Sequence, residues 1–444
     1  MKKRFLLTTI LSLFFLLVLS ACSGEDTTST EDKEAKDAEK TEENKDNEET
    51  SEPVEIEFWH AMSGPHEEAL QSFVETFNSE NESITVKAVN QGGYDDLEQK
   101  IMASAKAKTL PTMSQAVTGV IPEYINNDFV EPLNTYMEDE EIGLSEDERN
   151  DFMEIFRESS KWDDTYYSVP FSKSTRVMFY NKTILEENGF DVPETWQDVR
   201  EISEAVTKDN VIGMGFENSF EAEFQAILKQ LGGTYIDEEA KEAQFASEKG
   251  IEAMTFINDM IQEGIARTAG EDQYMSNPFG RGDVAMYIGS SAGIPHIAGA
   301  AEEGLEWGVT TNPTWEGEGA TTFAGNDIVM FNQSEDAEKE AAWKFMKYLT
   351  SPEVTAEWAM KSGYLPVRSS ALELEEYKTF LEENPAYAAA SQQVDTGFFT
   401  ARVTGGDAVR NIVLEELDKI VLGEKTVEDG LTSAQERSNE ELKK

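Results

Sequence analysis

Several residue patterns in this chain could in principle do covalent or metal chemistry. Gly289-Ser-Ser-Ala-Gly293 follows an apolar run and fits the G-x-S-x-G elbow that presents a nucleophilic serine at the end of a strand. The base would have to be a later histidine, and the one available is His296. It lies too close in the chain to fold back as a triad partner. Asp395-Thr-Gly397 has the tripeptide form of an aspartic protease, whose mechanism needs two such carboxylates side by side, and there is no second copy. His60, His66 and His296 lack the spacing of a metal site, so structural roles are expected for them. Acid pairs suited to glycoside hydrolysis stay open, because 88 Asp and Glu residues make chance pairs unavoidable. Arg281-Gly-Asp283 leads into an apolar run and reads as a turn. Cys22 is the only cysteine, which rules out a disulfide within the chain.

The N-terminus carries sharper signals. Met1-Lys-Lys-Arg4 is basic, Phe5 to Ser20 is apolar but for Thr8, Thr9 and Ser12, and Leu19-Ser-Ala-Cys22 ends in small residues before the cysteine. That run is too short for a membrane span and reads as a secretory signal over residues 1–21. Its end resembles the bacterial lipobox, in which the cysteine becomes a lipid-modified N-terminus, so Cys22 is the expected lipidation site. Residues 24–52 hold thirteen acids, four lysines and no Val, Ile, Leu, Met or aromatic residue. Such a segment cannot bury enough apolar surface to fold, and residues 22–52 are expected to be a disordered acidic tether.

The net charge is −51, of which about −45 belongs to residues 53–444. Acidity therefore covers the folded surface, and a phosphate backbone would be repelled, which argues against nucleic-acid binding. A body of this length is too large for one hydrophobic core, and two lobes are expected.

Elements that would position a site follow from periodicity. Val54-Glu-Ile-Glu-Phe-Trp59 alternates as a half-buried strand, and Leu70, Phe73, Val74 and Phe77 recur at helical spacing. Ile84, Val86 and Ala88 alternate again, completing a βαβ unit of a parallel sheet. Gly92-Gly-Tyr-Asp95 then stands beyond a strand's carboxyl end, where such sheets bind ligands. Ser168 to Lys182 opens extended because Pro170 disfavours helix at Val169. Ser172, Ser174 and Thr175 follow, then the strand-like run Val177-Met-Phe-Tyr180. This reads either as a crossing between lobes past a wet cleft or as a strand pair with a serine-rich turn. Thr195-Trp-Gln-Asp198 has capping-box form and starts a helix. Asp283 to Ile288 reads as a strand, Glu306 to Thr310 and Gly325 to Phe331 as two further crossings, and Ala342 to Leu349 and Arg410 to Ile420 as helices.

Taken in order, Phe58-Trp-His-Ala-Met-Ser-Gly64, Pro170-Phe-Ser-Lys-Ser-Thr175, Tyr180-Asn-Lys182, Thr195 to Asp198, Gly363-Tyr-Leu-Pro366 and Arg402 to Leu417 resemble the family 1 extracellular solute-binding proteins of ABC importers. Within that family they look closest to the sn-glycerol-3-phosphate-binding branch. The resemblance implies an α/β, two-lobed, periplasmic-binding-protein-like (Venus flytrap) fold with hinge crossings. Residues 53–172 and 308–330 are expected in lobe 1, and 173–307 and 331–444 in lobe 2. Carried over position by position, it implies a pocket at Tyr94, Ser174, Trp196, Ser290, Gly325, Tyr364 and Arg410. Arg410 would grip phosphate, hydroxyls and the Gly325 N–H would serve the remaining oxygens, and Trp196 would face the carbon chain. Thr118 departs from the branch, which has a glutamate for the glycerol hydroxyls there. Each position has a plainer role open to it: Trp196 in a core, Tyr364 packing its loop, Arg410 paired with an acid.

The function so implied is a lipid-anchored, non-enzymatic binding subunit on the outer face of a bacterial membrane. It would be monomeric, need no cofactor or metal, and hand glycerol-3-phosphate or a glycerophosphodiester to a permease with a cytoplasmic ATPase. The alternatives are a neutral sugar or oligosaccharide ligand, and a surface-anchored glycosidase.

Overall fold

The computed structural model describes residues 53–272 and 274–444. The expected signal segment, Cys22 and the acidic tether lie outside the described residues.

The alternating segment forms β1 (Val54–His60), with Ile56, Phe58 and His60 turned inward. After it, α1 (Pro65–Glu80) buries Leu70, Phe73, Val74 and Phe77. Then come β2 (Ile84–Asn90), α2 (Tyr94–Ala107) and β3 (Met113–Val117). β1 pairs in parallel with both β2 and β3, as strands joined by crossover helices do.

β4 (Val169–Asn181) is one unbroken strand of 13 residues, buried at every position but Tyr180. The chain then gives α3 (Trp196–Val206), β5 (Ile212–Phe216), α4 (Glu221–Gln230), α5 (Glu248–Gln262), β6 (Ala266–Thr268), β7 (Val284–Ser290), α6 (Ile294–Ala300) and β8 (Trp307–Thr310). β9 (Thr321–Met330) follows, then α7 (Asp336–Leu349), α8 (Pro352–Ser362), the two-residue β10 (Gly397–Phe398), α9 (Gly406–Val421) and α10 (Val427–Glu441).

Among the described residues the main sheet runs β6-β5-β7-β4-β9-β3-β1-β2, with β8 also on β4 and β10 on β9. β4 and β9 knit its two halves together. The first half of β4 pairs with β9, from Val169 opposite Ile328 to Thr175 opposite Phe323, while its second half pairs with β7 and β8. The far end of β9 pairs with β3. The β4–β9 register slips between Asn326 and Asp327, beside Pro170, which has no N–H to give a ladder. Two lobes thus share two long antiparallel strands, and these strands are the crossings.

Three expectations need correction. Of the two readings of Ser168–Lys182, the crossing between lobes stands as β4 and the serine-rich turn does not, because its hydroxyls are buried within one continuous strand. Ser172 Oγ accepts from Trp358 Nε1 at 3.2 Å and Thr175 Oγ1 from Gln393 Nε2 at 2.8 Å, so the strand stays unbroken. Residues 307–310 do not cross; β8 pairs with Met178–Asn181 in the second lobe. Nor does everything after 331 join that lobe. α7 packs on β1 and α1, and α8 on α1, with Phe77 meeting Phe345 edge-on at 4.9 Å and Phe73 meeting Trp358 at 6.2 Å. The helix Pro385–Ser391 packs on β8 and β4, and α9 and α10 return to the second lobe, against α4 and α5.

Candidate functional site

The crossing strands floor a cleft of about 740 Å³, within the size range of small-molecule sites. Three helices begin at its rim. α2 starts at Gly93–Tyr94, α4 at Glu221 and α9 at Gly406, and each places carboxylates in its first turn: Asp95 and Asp96, Glu221 and Glu223, and Asp407. Acids are favoured there because they meet the positive end of the helix dipole.

Four of the eight expected site residues line this cleft: Tyr94, Thr118, Gly325 and Arg410. Tyr94 projects from the start of α2, and its hydroxyl accepts from Asn326 Nδ2 at 2.9 Å and pairs with the Tyr364 hydroxyl. Thr118 Oγ1 accepts from Lys173 Nζ at 3.1 Å. Gly325 sits on β9 with φ +98°, where a Cβ would stand 1.9 Å from Ser172 O, so only glycine fits the crossing there. Arg410 Nε donates to Glu221 Oε1 at 2.8 Å, with the arginine side chain 42% exposed and the glutamate 7%. Burial works against the guanidinium charge, yet Glu221, Asp407 and Asp95 hold its pKa above the ordinary value.

The other four do not line it. Tyr364 stands one layer behind, stacked on Trp358 at 5.8 Å and touching the cleft through Tyr94. Ser174 is buried on β4 opposite Ala324. Ser290 ends β7 and caps the next turn, its Oγ accepting from Ala292 N at 3.2 Å. Trp196 is a core residue: 1% exposed, it donates from Nε1 to Gln230 Oε1 at 3.0 Å and meets Phe256 edge-on at 5.8 Å. The capping box at Thr195 is as expected, and it turns the indole into the second lobe's core and not toward the cleft.

The sequence reading overlooked a buried charge on the cleft floor. Arg176 lies on β4 and lines the floor, its Nη1 2.8 Å from Glu217 and its Nε 2.6 Å from Glu223. Burial raises the Glu217 pKa, and the bond from Arg176 only partly offsets it. A signal existed: a basic residue inside a strand buried on both faces must have partners. Glu98 of α2 was also missed. Burial, with Asp407 and Asp95 nearby, pushes its carboxyl up to about 7.

The catalytic patterns dissolve in three dimensions. Ser291 Oγ has no hydrogen-bond partner, and His296 faces His66 edge-on at 4.8 Å, not a serine. Burial and the neighbouring His296 lower His66 to about 4, as suits a packed neutral ring. Among the described residues no group of His, Cys, Asp and Glu could hold a metal ion. Arg281 and Asp283 pair at 2.8 Å around Gly282 in a turn.

A two-lobed α/β body floored by two crossing strands, with polar groups from both lobes turned into one cleft, defines a solute-binding protein. Residues 72–389 match the family model described as bacterial extracellular solute-binding protein, and the chain belongs to that family, the solute-binding proteins of ABC importers. It is similar to the sn-glycerol-3-phosphate-binding periplasmic protein UgpB of Pectobacterium atrosepticum, 25% identical over 410 residues, covering 88% of this chain and 91% of that one. The Escherichia coli K12 protein of the same name is likewise 25% identical over 410 residues, covering 88% and 92%. Among solved structures, UgpB from Mycobacterium tuberculosis in complex with glycerophosphocholine superposes with TM-score 0.79 at 22% identity, over 88% of this chain and 99% of that one. The cyclic α-maltosyl-1,6-maltose binding protein from Arthrobacter globiformis gives 0.74 at 25% identity, over 88% and 99%.

Proposed function

We propose that this chain is the solute-capturing subunit of an importer for glycerol-3-phosphate or a glycerophosphodiester, held to the outer membrane face by lipid on Cys22. The observation that carries the reading is the convergence of Tyr94, Thr118, Gly325 and Arg410 on one cleft between lobes. Relatives named for sn-glycerol-3-phosphate binding match almost end to end, which supports the same ligand class. In this reading Arg410 supplies charge-assisted hydrogen bonds to a phosphate oxygen, while Tyr94, Thr118 and the Gly325 backbone serve hydroxyls. Closure of the lobes about β4 and β9 traps the solute and presents a closed surface to the permease. No catalytic step is assigned to the cleft.

The test is thermal shift against glycerol-3-phosphate, glycerophosphocholine, maltose and inorganic phosphate, because a ligand that binds the native state raises apparent stability. A phosphate-dependent shift is expected, and Arg410→Ala should abolish it. A shift that survives Arg410→Ala intact would remove that residue from the site. A neutral oligosaccharide is the second reading, favoured by the fact that the cleft's two guanidiniums are already paired with carboxylates. A shift with maltose alone would establish it. Anchoring is tested separately: the protein should stay with the membrane fraction, and Cys22→Ser should release it.

A further inference from the structure

We infer that Arg176, Glu221, Gln225, Tyr235 and Thr322 form a hydroxyl-reading subsite on the α4 side of the cleft, and that these residues set the solute's specificity there. None of the five is among the eight expected site residues. The inference rests on the glycerophosphate reading above and adds to it the groups that tell an alcohol from a bare carbon chain.

The first argument is an asymmetry between the walls. On the first lobe, Tyr94 already bonds Asn326 and Tyr364, and Thr118 already bonds Lys173. Among the described residues, the buried polar atoms that line the cleft without a partner are Arg176 Nη2, Glu221 Oε2, Gln225 Oε1, Tyr235 Oη and Thr322 Oγ1. All belong to α4 or to segments that meet it. Glu221 and Gln225 stand four apart on α4 and so share one face. Arg176 reaches the same helix through Glu223, and β9, which carries Thr322, packs against it. The Tyr235 ring lies edge-on to Phe224 of α4 at 6.3 Å and stacks on Phe245 at 5.1 Å. Arg176, Glu221, Gln225 and Thr322 are each 6% exposed or less. Buried polar atoms are seldom left unpaired, so this set describes what fills the space beside it.

The second argument is what such a set can bind. The Glu221 carboxylate and the Gln225 amide oxygen accept, Arg176 Nη2 donates, and the two hydroxyls do either. A phosphate oxygen only accepts, so it would leave Glu221 and Gln225 unmet and face the Glu221 charge. An ammonium only donates, and it would face Arg176. An alcohol does both, and hydroxyls on neighbouring carbons satisfy the set. Arg176 suits a neutral oxygen because Glu217 and Glu223 already balance its charge. Its carbonyl also accepts from Thr321 Oγ1 at 3.0 Å and Gln393 Nε2 at 2.6 Å, so little ordering is left for binding to do. Glu221 joins the two ends of the solute. Its Oε1 accepts from Arg410, which holds the phosphate in the reading above, and its Oε2 is open to an adjacent hydroxyl.

Titration calorimetry on the intact protein tests this with glycerol-3-phosphate, propane-1,2-diol 1-phosphate, 3-hydroxypropyl phosphate, propyl phosphate and maltose. Propyl phosphate, which has no hydroxyl, should bind at least about tenfold more weakly than glycerol-3-phosphate, with the two singly hydroxylated esters between them. The double variant Gln225→Met/Thr322→Val keeps side-chain size and removes two of the open polar groups, and thermal unfolding checks its fold. In it the ratio of glycerol-3-phosphate to propyl phosphate affinity should shrink at least about threefold, a change that a merely structural role would not produce. A ratio under about tenfold in the unmodified protein, or one that the double variant leaves unmoved, overturns the inference and leaves the glycerophosphate reading standing. Binding of maltose with no response to any of the phosphates overturns that reading itself. The double variant then decides the subsite: maltose binding weakened at least about tenfold supports it, and unchanged binding removes it.

Discussion

The ammonium of Lys173 and the carboxylate of Asp327 meet, both fully buried, where the two crossing strands run side by side. Asp327 also accepts from Ser168 Oγ at 2.8 Å, and Lys173 also donates to Thr118 Oγ1 at the cleft wall. One buried ion pair therefore links both strands of the hinge to the ligand space. Burial pulls the Lys173 pKa down and pushes the Asp327 pKa up, and their mutual attraction opposes both shifts.

Breaking this pair from one side leaves an uncompensated charge. Lys173→Met is expected to cost about 3–5 kcal/mol, read as a shift in the denaturant midpoint. The double variant Lys173→Met/Asp327→Leu should recover most of that loss, since apolar replacements remove both desolvation penalties at once. If the single and double variants are equally unstable, the pair is not what holds the crossing.

Trp196 separates core from site. Trp196→Ala should cost about 3–5 kcal/mol of stability through the cavity it leaves. Trp196→Phe should keep ligand affinity within about twofold, because the indole lies in the second lobe's core and bonds Gln230, not the solute. Loss of affinity in a Trp196→Phe protein of normal stability would return this residue to the pocket.

Gly325→Ala places a methyl group against the Ser172 carbonyl at a backbone angle of +98°. The backbone strain alone is about 1–3 kcal/mol, and the neighbouring strand cannot yield without parting β4 from β9. Both thermal stability and ligand affinity should fall. An unchanged Tm would mean that the crossing is looser than its geometry implies.

Much of this architecture is written in local pattern. The alternation of Val54–Trp59 and the spacing of Leu70, Phe73, Val74 and Phe77 report which face is buried, and β1 and α1 follow from them. Periodicity does not report what covers a face, which is why α7 and α8 were expected on the wrong lobe. Trp196 failed for a related reason: its capping box fixes the start of a helix but not the direction in which the first turn points. Arg176, Glu217 and Glu223 meet only through contacts more than forty residues apart in sequence. With 75 acids in residues 53–444, nothing local singles out the few that turn inward. Gly92-Gly-Tyr-Asp95 was legible because a rule about strand ends, not about residue identity, located it.

Glu98, at the cleft, gives the free protein a pH dependence whose sign can be worked out. Glu98 faces Asp95 on its own helix, Glu123 and Tyr124 on the short helix Ile121–Asn126, and Asp407 and Arg410 on α9. Burial first, then Asp407, Asp95 and Glu123, raise its pKa from 4.5 to about 7, and Arg410 opposes them. A raised carboxyl contributes stability that is fully present below its unfolded value and is lost as pH rises through its folded value. The free protein should therefore lose stability from about pH 5 to about pH 8, and Glu98→Gln should flatten that slope. A phosphodiester monoanion bound beside Glu98 favours its protonated form, so binding takes up a proton and affinity falls as pH rises across about 7. Titration calorimetry in two buffers of different ionisation enthalpy reads the sign directly. Proton release on binding glycerophosphoglycerol would place the phosphate away from Glu98.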